Sequence, residues 1–109
     1  MTLLSTLSTL PEVKGAVLGT SAGAFLDAAG EADGEALAAV MGFAWTALGE
    51  AGEQLGLGAL DRISLAGPSG ACLATAEPGG ALLSAVVQPA GSLGVVEKVL
   101  DGALSRNGA

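Results

Sequence analysis

The sequence predicts a single α+β domain in which helices cover an antiparallel sheet. Three observations predict it. Apolar residues recur at helical spacing in three separate segments. Five short apolar runs lie between them, bounded by Gly- and Pro-containing turns. Runs one and two, and runs three to five, are joined by connections short enough to be hairpins, which sets neighbouring strands antiparallel.

The elements follow in order: helix, two strands, long helix, three strands, helix. Leucines at 3, 4, 7 and 10 predict a helix over 2–10. Pro11 ends it, because the residue before proline resists helical geometry. Val13 to Gly19 reads as a strand, Thr20 to Gly23 as a turn, and Ala24 to Ala28 as the second strand of a hairpin. Gly30 to Gly34 is an acidic loop, from which Asp33 can cap the next helix and Glu35 can sit at its positive end. That helix runs to about Leu55, where Gly56 and Gly58 stop it. Leu60–Ala66, Ala71–Ala76 and Ala81–Val87 are strands, separated by the turns Gly67-Pro68-Ser69-Gly70 and Pro78-Gly79-Gly80. After a loop over Gln88–Gly91, Ser92 is expected to cap a last helix that buries Leu93, Val96, Val99, Leu100 and Leu104. The domain spans 1–105, and 106–109 read as a frayed tail.

Composition narrows the function. The chain of 109 residues has no histidine and no tyrosine, one thiol (Cys72), and four cations: Lys14, Arg62, Lys98 and Arg106. General acid–base and metal chemistry lean first on imidazole, and a serine nucleophile needs a base beside it, so the inventory argues against an enzyme and against a metal or other cofactor. A net charge of −7 disfavours nucleic acid and anionic membranes, both of which need clustered Lys and Arg. The longest charge-free run, Pro78 to Val96, is broken by Pro89 and several glycines and reads as strand, loop and helix start, so no membrane insertion is expected. One cysteine and an N-terminal stretch without a basic head make the cytoplasm the expected compartment.

The long helix is the most informative segment. On a helical wheel, Leu37, Val40, Met41, Ala44, Ala47, Leu48, Ala51 and Leu55 form a broad apolar arc expected to lie on the sheet. Beside it runs a second stripe of Ala38, Gly42, Trp45, Gly49 and Gly52. Three helical glycines cost about 2.5–3 kcal/mol relative to alanine, a large share of a domain stability of about 5–15 kcal/mol. Close backbone approach by another element would offset that. The stripe, with Trp45 as a knob beside shallow holes, is expected to pack on its own copy across a two-fold axis. The polar residues Glu35, Thr46, Glu50 and Glu53 share a narrow wedge flanked by Phe43. Such a face is most simply a solvated one.

In this order of elements the chain resembles the roadblock / dynein light chain family over nearly its whole length. The leucine helix runs into Pro11-Glu12-Val13-Lys14-Gly15, similar to the family's proline–x–valine–x–glycine entry into its first strand. The Ala-rich central helix and Leu55-Gly56-Leu57-Gly58 follow. Ala81-Leu82-Leu83 and Ser92-Leu93-Gly94 are similar to its last strand and last helix start, with Ser92 where asparagine is usual.

The resemblance implies a five-stranded antiparallel sheet with the long helix on one face and the terminal helices on the other. It also implies a homodimer made by pairing the long helices and the strand that follows them. The implied dimer interface is Ala38, Gly42, Trp45, Gly49 and Gly52 with Ile63 and Leu65, and self-pairing would cover an exposed sheet edge. It further implies a noncatalytic adaptor that binds a small Ras-like GTPase, with Glu35, Phe43, Thr46, Glu50 and Glu53 as the partner-binding surface. Such an adaptor acts by orienting switch loops rather than donating a catalytic group. The alternative is a structural scaffold subunit of a larger assembly without a GTPase. A ligand-sensing domain is disfavoured by the scarcity of polar residues to line a pocket.

Several motifs do not survive context. Gly19-Thr20-Ser21-Ala22-Gly23 matches the hydrolase elbow G-x-S-x-G, but no histidine exists for a triad. A serine–aspartate dyad with Asp101 would need a helix after Gly23, where the sequence reads as strand. Gly67-Pro68-Ser69-Gly70 lacks the Lys-Ser/Thr of a phosphate loop. The acidic residues from Glu12 to Glu35 do not have EF-hand spacing. Cys72, among Ala71, Leu73 and Ala74, reads as a small core residue.

Overall fold

The computed structural model of the chain describes residues 3–30, 33–77 and 79–108, the last three by backbone alone. Helix α1 covers Leu3–Ser8, and its leucines 3, 4 and 7 are buried. Strands β1 (Val13–Gly19) and β2 (Phe25–Gly30) form the expected hairpin, with β2 one residue later at its start and two at its end. Helix α2 covers Gly34–Gln54, and strands β3 (Arg62–Gly67), β4 (Gly70–Ala76) and β5 (Leu82–Val87) follow. A 3-10 turn at Ala90–Ser92 leads into helix α3 (Leu93–Gly108). That entry corrects the Ser92 cap: Ser92 closes the turn through its backbone, donating to the Pro89 carbonyl. Of the expected tail, 106–109, the side chains lie outside the described residues.

The sheet order is β2-β1-β5-β4-β3, and every neighbouring pair is antiparallel. The last strand therefore sits at the centre, between the N-terminal hairpin and the β3–β4 hairpin. Alternation along each strand sends side chains to two cores. Leu73 of β4 and Leu83, Ala85 and Val87 of β5 face α1 and α3, where they meet Leu7, Val96 and Leu100. Ile63 of β3 and Ala74 of β4 point the other way, onto Met41 of α2. The architecture is the expected one: a five-stranded antiparallel sheet with the long helix on one face and the terminal helices on the other.

The ends of α2 follow from local chemistry. Asp33 Oδ1 accepts a hydrogen bond from the Ala36 N–H at 3.1 Å, satisfying one of the free amides at the helix start. At the other end the Leu57 N–H donates to the Gly52 carbonyl while Gly56 sits at φ +76°, a left-handed position that a Cβ disfavours. A second tie spans the other face of the sheet. Arg62 on β3 reaches α3, with Nη2 2.6 Å from Asp101 and Nη1 3.5 Å from Glu97.

Candidate interaction surface

The face that α2 turns to the sheet is set by the β1–β2 turn. Gly42 lies against Gly23: a Cβ on Gly42 would stand 2.5 Å from the Gly23 nitrogen and 2.6 Å from its Cα. One turn of helix earlier, the Ala38 methyl fills the space over Gly19, 3.1 Å from where a Cβ on that glycine would be. The Thr46 hydroxyl lies 3.2 Å from the Gly42 carbonyl and 3.3 Å from the Ser21 carbonyl, with one proton to share between them. Turn and helix are thereby locked at a single rotation.

That rotation corrects the assignment of the two stripes. Ala38 is buried at 4% exposure, Gly42 is buried, and Trp45 packs half-buried on the core of Met41, Ile63 and Ala74. Ile63 itself is 3% exposed. Ala38, Gly42 and Ile63 are thus buried within their own chain, and Trp45 is half-buried on it. Gly49 is half-buried with open space beside it, Gly52 is half-buried with the Gly58 carbonyl oxygen 3.8 Å from where a Cβ would stand, and Leu65 is 51% exposed. Conversely, much of the arc expected on the sheet faces outward. Val40, Leu48 and Leu55 are 60%, 45% and 74% exposed, with Ala47 and Ala51 also exposed, while Leu37, Met41 and Ala44 pack inward. The helix is turned by about a quarter of a revolution from the expected phase.

The result is an uncovered apolar stripe along α2; Leu65 is likewise exposed on β3, which among the described residues has no further strand on its outer side. Beside the stripe stands the acidic wedge. Glu35, Phe43, Thr46, Glu50 and Glu53 are all exposed, Phe43 at 78%. Glu50 and Glu53 border an open groove of about 370 Å³ whose floor includes Trp45. The structure thus brings together on one face the wedge residues and an apolar stripe that helical periodicity assigns to the core. The missed signal is the pairing of small residues: Gly19 at the end of β1 and Gly23 in the turn have the right size to receive Ala38 and Gly42.

The other groups singled out in the sequence do not assemble a reaction centre. Ser21 sits in a strand–turn–strand connection, and Asp101 is held by Arg62 on the α3 side of the sheet. Burial alone would lower the Arg62 pKa, but the hydrogen bond and charge of Asp101, followed by those of Glu97, outweigh it and raise it. That guanidinium is committed within its own chain. Burial pushes the Cys72 thiol above its ordinary value. Alkylation of native protein at about pH 8 is therefore expected to be slower than that of free cysteine and to accelerate on denaturation. Because the folded pKa is the higher one, the thiol contribution to stability is present below the ordinary value and is lost as pH rises through the folded value. A native thiol that reacts as fast as free cysteine would contradict this placement.

No protein-family model matches the sequence, and no curated protein is significantly similar to it. Solved structures are similar to it. The chain superposes on MglB from Myxococcus xanthus with a TM-score of 0.81 and 18% identity, over 94% of this chain and 89% of that one. It matches the Roadblock/LC7 domain from Streptomyces avermitilis with a TM-score of 0.74 and 18% identity, over 98% and 96% of the two chains. The gliding protein MglB from Thermus thermophilus gives 0.73 and 19%, over 95% and 84%. The protein therefore has the Roadblock/LC7 fold. Within that class it shares its nearly full-length architecture with MglB structures, one of which is described as having a tetrameric arrangement.

Proposed function

We propose that the chain is a noncatalytic homodimeric adaptor that binds a small Ras-like GTPase and regulates or scaffolds it in the cytoplasm. The observation that supports this reading is the apolar stripe of Val40, Leu48, Leu55 and Leu65. Its residues stand on one helix and on an edge strand of the sheet, and nothing among the described residues covers them. Large apolar patches left open in a small domain mark association sites. A two-fold pairing of α2 and β3 would bury the stripe and continue the sheet through its free edge. The wedge of Glu35, Phe43, Thr46, Glu50 and Glu53 lies next to that seam, so two copies would present a wide acidic platform with exposed phenylalanine rings. Such a surface suits a partner with a basic rim, which the charge of −7 would attract over distance. Arg62 is engaged by Glu97 and Asp101, so the platform would position switch loops rather than insert an arginine.

Affinity capture from a lysate of the source cells, run in parallel with GDP and with a non-hydrolysable GTP analogue, tests the partner. A small GTPase enriched in one nucleotide state is expected, and its recovery should fall when Phe43 is changed to Ala. Capture of other subunits with no GTPase in either state would instead favour the scaffold reading.

A further inference from the structure

Among the described residues β2 and β3 are the two edge strands of the sheet, and they are built differently. Strand β3 pairs with β4 in unbroken register from Arg62↔Thr75 to Gly67↔Gly70. Strand β2 is regular from Asp27 to Gly30 but irregular at its two ends. Its register against β1 skips Leu26, passing from Leu18↔Asp27 to Gly19↔Phe25, and its last residue, Gly30, has φ +86°. Between these two breaks the Ala28 N–H donates to Asp27 Oδ1 at 2.8 Å. In an antiparallel sheet successive amides point alternately toward and away from the neighbouring strand, and an amide held by a side chain is not offered to a further strand.

We propose that Asp27 closes the β2 edge by occupying the Ala28 amide, so that strand-to-strand association of this chain is confined to β3. The composition of β2 explains the need. Its sequence is Phe-Leu-Asp-Ala-Ala-Gly, with Phe25 and Leu26 exposed and Asp27 its only charged residue. An apolar edge strand of this kind invites pairing unless a charge or a bulge interrupts it. With both edges open, copies could add head to tail without limit, whereas one open edge closes the assembly at two. The last step rests on the reading of β3 as the self-pairing edge, but the closure of β2 does not.

Light scattering after size-exclusion chromatography, over a wide concentration range, tests this on the full chain and two variants. Asp27 is exposed, so both variants are expected to keep the wild-type circular dichroism. Asp27→Asn retains the Oδ1 acceptor and is expected to keep the wild-type mass. Asp27→Val removes it and is expected to form species at least twice that mass, in a share that grows with concentration, with the Ala28 amide newly protected from hydrogen exchange. A wild-type mass for Asp27→Val overturns the proposal. So does Asp27→Asn associating as Asp27→Val does, because charge rather than the occupied amide would then guard the edge. So does association that leaves Ala28 unprotected. A wild-type chain that is monomeric at every concentration would sink the β3 dimer and leave the Asp27 comparison readable.

Discussion

Gly42→Ala is expected to destabilise the domain, although the same change raises helix propensity. The added Cβ would meet the Gly23 nitrogen at 2.5 Å and its Cα at 2.6 Å, both backbone atoms that cannot rotate aside. The turn must then lift away from α2. Overpacking of this kind costs about 1–3 kcal/mol and sometimes more, against a propensity gain of about 0.8–1 kcal/mol. A net loss of up to about 2 kcal/mol follows, which lowers the melting temperature by about 4–8 °C per kcal/mol in a domain of this size. Gly49→Ala is the matched control, because a Cβ there meets nothing within 4 Å. It should gain about 0.8–1 kcal/mol and raise the melting temperature. Thermal unfolding followed by circular dichroism reads both. If the two variants shift in the same direction, the turn is not seated on Gly42.

The second large effect concerns association. The double variant Val40→Glu, Leu48→Glu places two carboxylates on the exposed stripe of α2, so the isolated fold should be unaffected. Burying a Val or Leu side chain contributes about 1.5–3 kcal/mol. The two-fold repeats each substitution, so four such side chains are lost per dimer, which at full burial is about 6–12 kcal/mol and should weaken self-association by roughly 10⁴ or more in the dissociation constant. Sedimentation equilibrium should show a concentration-dependent dimer for the wild type and a monomer for the variant. A variant that keeps the wild-type mass would remove α2 from the interface. Gly42 cannot serve this test: a larger side chain there would disturb the fold before it reached any partner.

The corrected phase of α2 shows where sequence periodicity runs out. A helix with one narrow apolar stripe has one way to lie on a sheet. In α2, alanines, glycines and apolar residues together cover most of the circumference, and only Glu35, Thr46, Glu50, Glu53 and Gln54 break the pattern. Several rotations then bury similar area, and the wheel cannot choose among them. Glycine does mark a close backbone approach. At Gly42 the approaching element is the turn at Thr20–Gly23 of the same chain. The same rotation draws Trp45 into the Met41 core, where a large apolar side chain gains most from burial.

The candidate surface is legible in the sequence where it depends on polarity. Glu35, Thr46, Glu50 and Glu53 had to face water wherever the helix sat, and they do. Val40, Leu48 and Leu55 are not legible, because an exposed leucine and a buried one look alike in one dimension. The Arg62–Asp101 tie is equally hidden, since it joins residues on β3 and α3 that only the folded sheet brings together.

What the sequence determined by itself was therefore local. The order of helices and strands, the Asp33 cap, the stop at Gly56 and the hairpin turns each depend on neighbouring residues and on backbone geometry they share. It also determined that the long helix carries more apolar surface than one sheet face can cover. The tertiary structure alone decided which part of that surface stays uncovered and which strands lie at the sheet edges. Both follow from long-range contacts: Gly23 against Gly42 sets the rotation of α2, and the pairing of β1 with β5 leaves β2 and β3 at the two edges.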